Sequence, residues 1–526
     1  MRRYLPVPRF IPLVASLALL SAACAAPTQP GQEGGPAADA PLAEKQVLRV
    51  RFYDEPAGFD PATLFRIENE NIAFNIYSGL TTYESKTGQI LPDLAERWET
   101  KDQRSWTFFL RKGVQWQKGF GELTAGDVVS SYKRILAPET GSPYRSDFGP
   151  VESIEAPDPQ TVAIALKAPD ANFLHVVANY HQGQVVKTEA VEKFGDQYRW
   201  NTVGTGPFAL ESFTPGSEMV LARHEGYFRG KPTLERIIFR IIKDDETGAI
   251  ALQNGEVDLA MRIRSEETLK RLEADGRFTM NTGSIGQGTI MFNPQVKPLS
   301  DVRVRRAFAH AIDRDAIVKA VGSLTTRKVT NLIPQWMDVY SDAVPRYEYN
   351  PERARQLLAE AGYPNGFTVK KIESAASGVT EELQLEQSYL AKVGINVEFE
   401  LIDTPVYNRR RNSGDFELGS RVIPAVNPDT LLFSYLHPDN IAPKGLNGAR
   451  YNNPELTAKL EAARAEGDPA RRKQLYADVQ RIAMTDLPYL PTRESIFYFP
   501  AYKWVAGVVL NPLAQVNYYD VKLLAH

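Results

Sequence analysis

Apolar and polar positions along this chain follow two periods. The segments 47–53, 106–111, 161–167, 219–224, 237–242, 367–372 and 395–402 are rich in β-branched and aromatic residues and mostly alternate, which predicts strands. Between them lie stretches with helical punctuation. Asn350-Pro351-Glu352 supplies an N-cap, a first-turn proline and an acidic first turn, and Gly362 stands just past the end. Asn453-Pro454-Glu455 and Asp468-Pro469 repeat that start signal, and Thr124 caps a helix carrying Val128, Val129 and Tyr132. Across 301–320, Val304, Phe308, Ala311, Ile312 and Ala316 share one helical face, with Arg303, Arg306 and Arg314 off it. No period of about 20–50 residues recurs, so a solenoid or propeller is excluded. The pattern predicts a mixed α/β protein with several sheets.

Length turns this into more than one unit, because 526 residues exceed what a single core of ~250–300 residues accommodates. Composition is that of an ordinary folded protein, 43% apolar and 24% charged. The net charge of −3 becomes −6 without Arg2, Arg3 and Arg9, so no general attraction to nucleic acid is expected. Those three arginines precede an apolar run from Phe10 to Leu20 and the small residues Ser21, Ala22 and Ala23, the layout of a secretory signal over residues 1–23. The run is too short to span a bilayer, which takes ~20 residues. The single cysteine, Cys24, follows directly. It resembles the lipidated first residue of a bacterial lipoprotein, although Ser21 stands where a leucine is usual. Residues 24–46, rich in Pro and Gly, read as a flexible stalk behind that anchor. With Cys24 lipidated, the body has no disulfide to rely on.

From Phe59 onward the chain resembles the family 5 extracellular solute-binding proteins of peptide-type ABC importers, the oligopeptide- and dipeptide-binding kind. The resemblance rests on Asn75-Ile-Tyr-Ser-Gly-Leu80, Leu91-Pro-Asp-Leu-Ala-Glu-Arg-Trp98, Trp106 through Val114, Leu123 through Val128, Gly204-Thr-Gly-Pro-Phe208 and Gly255-Glu-Val-Asp258. Asp301 through Ala307, Ile312-Asp-Arg314, Tyr451-Asn-Asn-Pro454 and Pro488-Tyr-Leu-Pro491 continue it, in order, to near the end. Physically these are mostly architectural: turns, caps and buried strands. The resemblance implies an α/β, two-lobed periplasmic-binding-protein fold of the large, three-domain type, with an interlobe ligand cleft. Lobe I would comprise 47–80, 204–284 and 497–526, an inserted subdomain 81–203, and lobe II 285–496. It further implies a monomeric receptor without cofactor that hands a small solute or peptide to ABC permease subunits. Such a receptor touches the membrane through its lipid anchor only.

Site residues also follow from the resemblance. Peptide-binding members hold the ligand's free amine on an aspartate four residues before a proline in a lobe II loop. Anchoring on Pro428 puts Pro424 at that place, so the expected anchor is missing. Asp429 either replaces it or caps the helix beginning near Thr430. Phe65, Ile67, Tyr144, Phe148, Met261, Arg262, Arg421, Arg493 and Glu494 align with cleft-lining positions. Arg262, Arg421 and Arg493 together would suit a carboxylate or phosphate, unless each is paired with an acid. An anionic compound, an oligosaccharide or a metal chelate is therefore the alternative cargo to a peptide.

Two decoys suggest an exported serine hydrolase instead. Ser130-Ser-Tyr-Lys133 has the S-x-x-K spacing and Lys86-Thr-Gly88 imitates K-T-G, but their chain order is reversed and no S-D-N lies between them. The six histidines form no H-x-x-x-H or H-E-x-x-H, so no protein-only metal site is expected. A receptor rather than an enzyme is the reading.

Overall fold

The computed structural model describes residues 40–63, 67–84, 87–145, 147–375, 378–424, 427–511 and 513–526, with the backbone alone for 67, 68, 285 and 430. The signal, Cys24 and most of the stalk lie outside these residues. Among those described, no helix is long and apolar enough to cross a membrane.

Two long strands organise the molecule, Phe278–Phe292 and Tyr489–Tyr502. They run antiparallel, Phe278 opposite Tyr502 and Met291 opposite Tyr489. On one side, Tyr489–Tyr502 passes to Leu259–Ala260, then Val47–Phe52, Arg236–Ile241, Glu218–Arg223 and Phe208–Thr214. On the other, Phe278–Phe292 passes to Leu418–Ile423, Phe367–Ser374 and Ile395–Ile402. A second, four-stranded antiparallel sheet orders Ala95–Thr100, Ser105–Leu110, Thr161–Leu166 and Val151–Asp158. The helix Ala125–Leu136 buries Val128, Tyr132 and Ile135 beneath it.

Two apolar cores result. Leu48, Val50, Phe239 and Leu259 belong to the first, which continues into the inserted sheet through Trp106, Phe108 and Ile164. Val369, Ile395, Leu418, Leu432 and Tyr476 belong to the second. The paired strands contribute Phe278, Phe499 and Tyr502 to the first core, but Ile290, Phe292 and Leu490 to the second. Between these ends the ladder slips, once between Ser284 and Gln287 and again between Gly288 and Thr289. Polar Gln287, Thr289 and Thr492 are buried there.

Local chemistry explains the motifs. Asp258 of Gly255-Glu-Val-Asp258 receives the Arg49 backbone N–H at 2.8 Å and its guanidinium at 2.6 and 3.0 Å, fixing strand Val47–Phe52. Thr124 and Asp127 form the capping box of Ala125–Leu136. Gly204 and Gly206 serve close approach rather than turn geometry: a Cβ on Gly204 would lie 2.1 Å from the Ile76 carbonyl oxygen. Residues 301–320 are two helices, Val302–Ala311 and Arg314–Val321, because the Asp313 side chain caps the second. Arg314, expected off the apolar face, is buried, its guanidinium satisfied by the carbonyls of Tyr347, Val329 and Pro491. The stalk ends earlier than composition suggests. The Ala43 N–H bonds the Leu523 carbonyl at 2.9 Å, and the Gln46 amide bonds Ala43 and Leu523, docking 43–46 on the C-terminal segment.

The ladder slip rests on Gly286, which has φ +136° and whose Cβ would lie 2.2 Å from the Ile423 carbonyl oxygen. Gly288 has ordinary φ and meets nothing closer than 3.5 Å. Gly286→Ala should therefore cost ~2–4 kcal/mol in denaturant unfolding, and Gly288→Ala less than about 1 kcal/mol. Equal effects from both would mean that the slip tolerates a side chain.

Candidate ligand-binding cleft

The two cores face each other across a cleft spanned by direct contacts, so the lobes are closed. The Ala171 N–H donates to the Arg464 carbonyl at 2.7 Å, and the Asn172 amide to the Tyr476 hydroxyl at 3.2 Å. Arg464 grips Asp429 of its own lobe at 2.8–3.1 Å and lies 4.0 Å from Asp170 of the other. His175 stacks on Tyr83 at 5.7 Å; burial, with Arg472 of lobe II adding to it, pushes its pKa down to about 4.

Further in, a series of polar groups on the first lobe comes close to the second. On helix Ile67–Ile76, Glu70 is buried and lies 2.6 Å from His181 Nδ1. That nitrogen is also 2.9 Å from the Tyr144 hydroxyl, and the two rings stack at 4.8 Å. His181 has φ 41°, a conformation that costs a non-glycine residue energy and that often marks a functional site. Its ring lies 3.9 Å from that of Tyr180. Burial raises the Tyr180 pKa well above the ordinary value, and Glu70, Tyr83 and lobe II's Tyr435 raise it further. Tyr435 in turn accepts a hydrogen bond from Arg421 at 3.3 Å, with the guanidinium 5.5 Å from its ring centre.

The residues picked from sequence fall into several groups. Phe65 lies outside the described residues, and of Ile67 only the backbone at the start of its helix is described. Phe148 and Met261 are fully buried: Phe148 packs on Tyr132 at 4.9 Å, and Met261 meets the Tyr518 hydroxyl. Both are packed into the first core. Asp429 lies in the first turn of the helix Pro428–Leu436, where Arg464 holds its carboxylate. Arg493 is neutralised by Glu382 at 2.6 Å. Arg262 is held 4.8 Å from the Tyr53 ring and 4.4 Å from that of Phe497, beside the crossing strands. Glu494 is half-buried on the crossing strand, opposite Gln287. Tyr144 and Arg421 are brought into the interlobe series just described.

Residues 89–442, two thirds of the chain, match the family described as bacterial extracellular solute-binding proteins, family 5 middle. The chain belongs to family 5 of the extracellular solute-binding proteins. The heme-binding protein A of Haemophilus influenzae is 29% identical over 502 residues, covering 89% of this chain and 90% of its own. The dipeptide-binding protein of Escherichia coli K12 is also 29% identical, over 89% of this chain and 93% of its own. A binding protein solved with mannopinic acid from A. tumefaciens R10 superimposes with a TM-score of 0.77 at 27% identity, covering 91% of this chain and all of that one.

Sequence reasoning missed several groups in this family 5 protein. Glu70, Tyr180, His181 and Tyr435 carry no local signature; the fold alone assembles them. Arg411 had a visible signal in the run Arg409-Arg410-Arg411. Arg410 is taken by Glu400 at 2.6 Å, whereas among the described residues Arg411 bonds only the Asn412 side chain, at 3.3 Å.

Asp170 gives closure a pH dependence. Burial, reinforced by Asp429 and opposed by Arg464, pushes its pKa up to about 6 in the closed form. When the lobes open it returns to the ordinary range near 3.9. An acid that holds its proton more tightly when closed makes closure easier as pH falls through 6. Affinity for a neutral solute should rise about tenfold from pH 7 to pH 5, and Asp170→Asn should remove that part of the rise. Calorimetric titration across this range measures it; an identical profile in the variant refutes the assignment.

Proposed function

We propose that this protein is a lipid-anchored, monomeric receptor outside the cytoplasm that captures peptides or peptide-like solutes between its lobes and presents them to an ABC permease. The observation that carries this reading is the architecture itself. Two separate cores are joined through a two-stranded ladder that slips at its middle, and they close on a cleft lined by hydroxyl, imidazole and guanidinium groups. A ligand that touches both lobes stabilises the closed form by its differential contacts. An extended peptide can satisfy its backbone groups strand-fashion in such a cleft. The dipeptide-binding relative supports this cargo.

We propose Tyr144, Arg262, Arg421 and Glu494 as ligand-facing, with Tyr180 and Tyr435 beside them. Catalysis forms no part of the reading. Ser130 is exposed on a helix, and the residues around it are used for packing.

One observation favours the second reading, a non-peptide solute. Pro424 stands where the amine-binding aspartate is expected, and Asp429 is committed to Arg464. The relatives named for heme and solved with mannopinic acid are in keeping with it.

Thermal unfolding of the full chain against free peptides, oligosaccharides, sugar acids and metal chelates tests the receptor reading. A true ligand at 100 times its Kd adds ~2.7 kcal/mol to the folded state and is recovered chemically unchanged. Turnover of the solute, or no shift with any solute class or with cell extract, overturns it. In cells, Cys24→Ser should move the protein from the membrane to the soluble fraction; unchanged partitioning would remove the anchor.

A further inference from the structure

We propose that the cargo is held by a carboxylate seated on Arg421, with Arg411 reinforcing the charge, in place of the amine-to-aspartate contact. This rests on the receptor reading above and names the solute class for that cleft.

Four observations converge on it. First, the acid at the expected place is absent: Pro424 is packed against the slipped strand, its Cα within 2.8 Å of where a Gly286 Cβ would be. Second, four acids of the same lobe are already engaged. Asp429 is held by Arg464, Glu382 by Arg493, and Glu386 and Glu373 by buried Lys371 at 2.9 and 3.4 Å. Glu373 further accepts from the Ser420 hydroxyl at 2.5 Å.

Third, two guanidinium groups are left over. Among the described residues Arg421 makes one side-chain hydrogen bond, to the Tyr435 hydroxyl, and its Nε is buried without a partner. Arg411 bonds only a neutral amide and sits against Tyr407 at 5.8 Å. Neither has a carboxylate within ion-pair distance among the described residues. The two are close enough that the charge of Arg421 opposes that of Arg411. A pair of half-buried cations without counter-charge is costly in an empty site and favourable once an anion arrives. Fourth, position: Arg421 lies opposite Thr289 on the crossing strand, and its partner Tyr435 is near enough to Tyr180 of the other lobe for the two hydroxyls to act on each other electrostatically. A carboxylate there would touch the crossing strands and the lobe-to-lobe series at once. The planar guanidinium fork suits it better than an ammonium would.

The test titrates the full purified chain with alanyl-phenylalanine, its N-acetyl form, its C-terminal amide, gluconate and neutral glucose, by calorimetry. Acetylation should change affinity less than threefold, and removal of the carboxylate should weaken it at least tenfold. Arg421→Gln should match that loss for the carboxylate forms, Arg421→Lys should recover part of it, and neither should further weaken the amide. A second measurement needs no ligand. Arg421→Met should raise the unliganded Tm by about 1–2 °C if the cation is uncompensated. It should lower the Tm if the Tyr435 contact is the residue's purpose.

If acetylation abolishes binding while amidation is harmless, or if only neutral glucose binds, the carboxylate proposal falls and the receptor reading stands. If gluconate alone binds through Arg421, the proposal stands and the peptide reading falls. If nothing in the panel binds, the sign of the Arg421→Met shift decides. The receptor reading is then judged separately, by whether solutes extracted from cells shift the melting curve.

Discussion

Everything in this molecule hangs on the hydrogen-bonded ladder between Phe278–Phe292 and Tyr489–Tyr502. A continuous antiparallel pair with apolar residues throughout would weld the two cores into one. Here the ladder slips twice where it crosses, and the side chains at the crossing are polar and bonded locally. Thr289 donates to the Arg421 carbonyl at 2.9 Å and Thr492 to the Gly288 carbonyl at 3.1 Å. Pro491, at the second slip, has no N–H to offer the ladder. The apolar clusters stop on either side, so each lobe is close-packed within itself while the joint between them is not. That contrast lets a hinge bend without disturbing either core.

Closure is correspondingly polar. The lobes meet through a backbone hydrogen bond at Ala171, an amide–hydroxyl contact at Asn172, and an arginine shared between Asp429 and Asp170. Contacts of this kind exchange against water and contribute little net stability each. Asp170 even resists closure while charged, because closure buries it and sets it beside Asp429. A weakly favoured closed state is what lets a solute control the equilibrium, since a ligand shifts it only by its differential affinity.

The strands were readable from alternation almost to the residue: 395–402 as observed, 161–167 against Thr161–Leu166, 106–111 against Ser105–Leu110. Helix starts were equally plain, because Asn350, Asn453 and Asp468 cap through contacts three residues or fewer away. What could not be read were pairings set by tertiary distance. Asp429 finds Arg464, Arg493 finds Glu382, and Arg314 finds three carbonyls, none of them a sequence neighbour. The packing of Phe148 and Met261 into the first core was hidden for the same reason. An aligned position shows that a side chain belongs to a segment, but not which face of it is turned inward. Conversely, Glu70, Tyr180 and Tyr435 come from three distant segments, and only the closed lobes make them a wall.

That wall limits what the cleft can discriminate. Burial holds Tyr83, Tyr144 and Tyr180 well above the ordinary tyrosine pKa, so all three stay neutral at any physiological pH. Neutral hydroxyls donate or accept according to the rotation of one bond, and they accommodate amides, sugars and carboxyl groups alike. Selection by charge therefore falls to whatever ionised groups the fold leaves uncommitted. Asp429, Glu382 and Glu386 are neutralised against Arg464, Arg493 and Lys371, whereas Arg421, Arg411 and Glu494 have no ion-pair partner among the described residues. Uncommitted charge beside a tolerant hydroxyl wall would make the solute's charge, ahead of its shape, the property such a cleft selects.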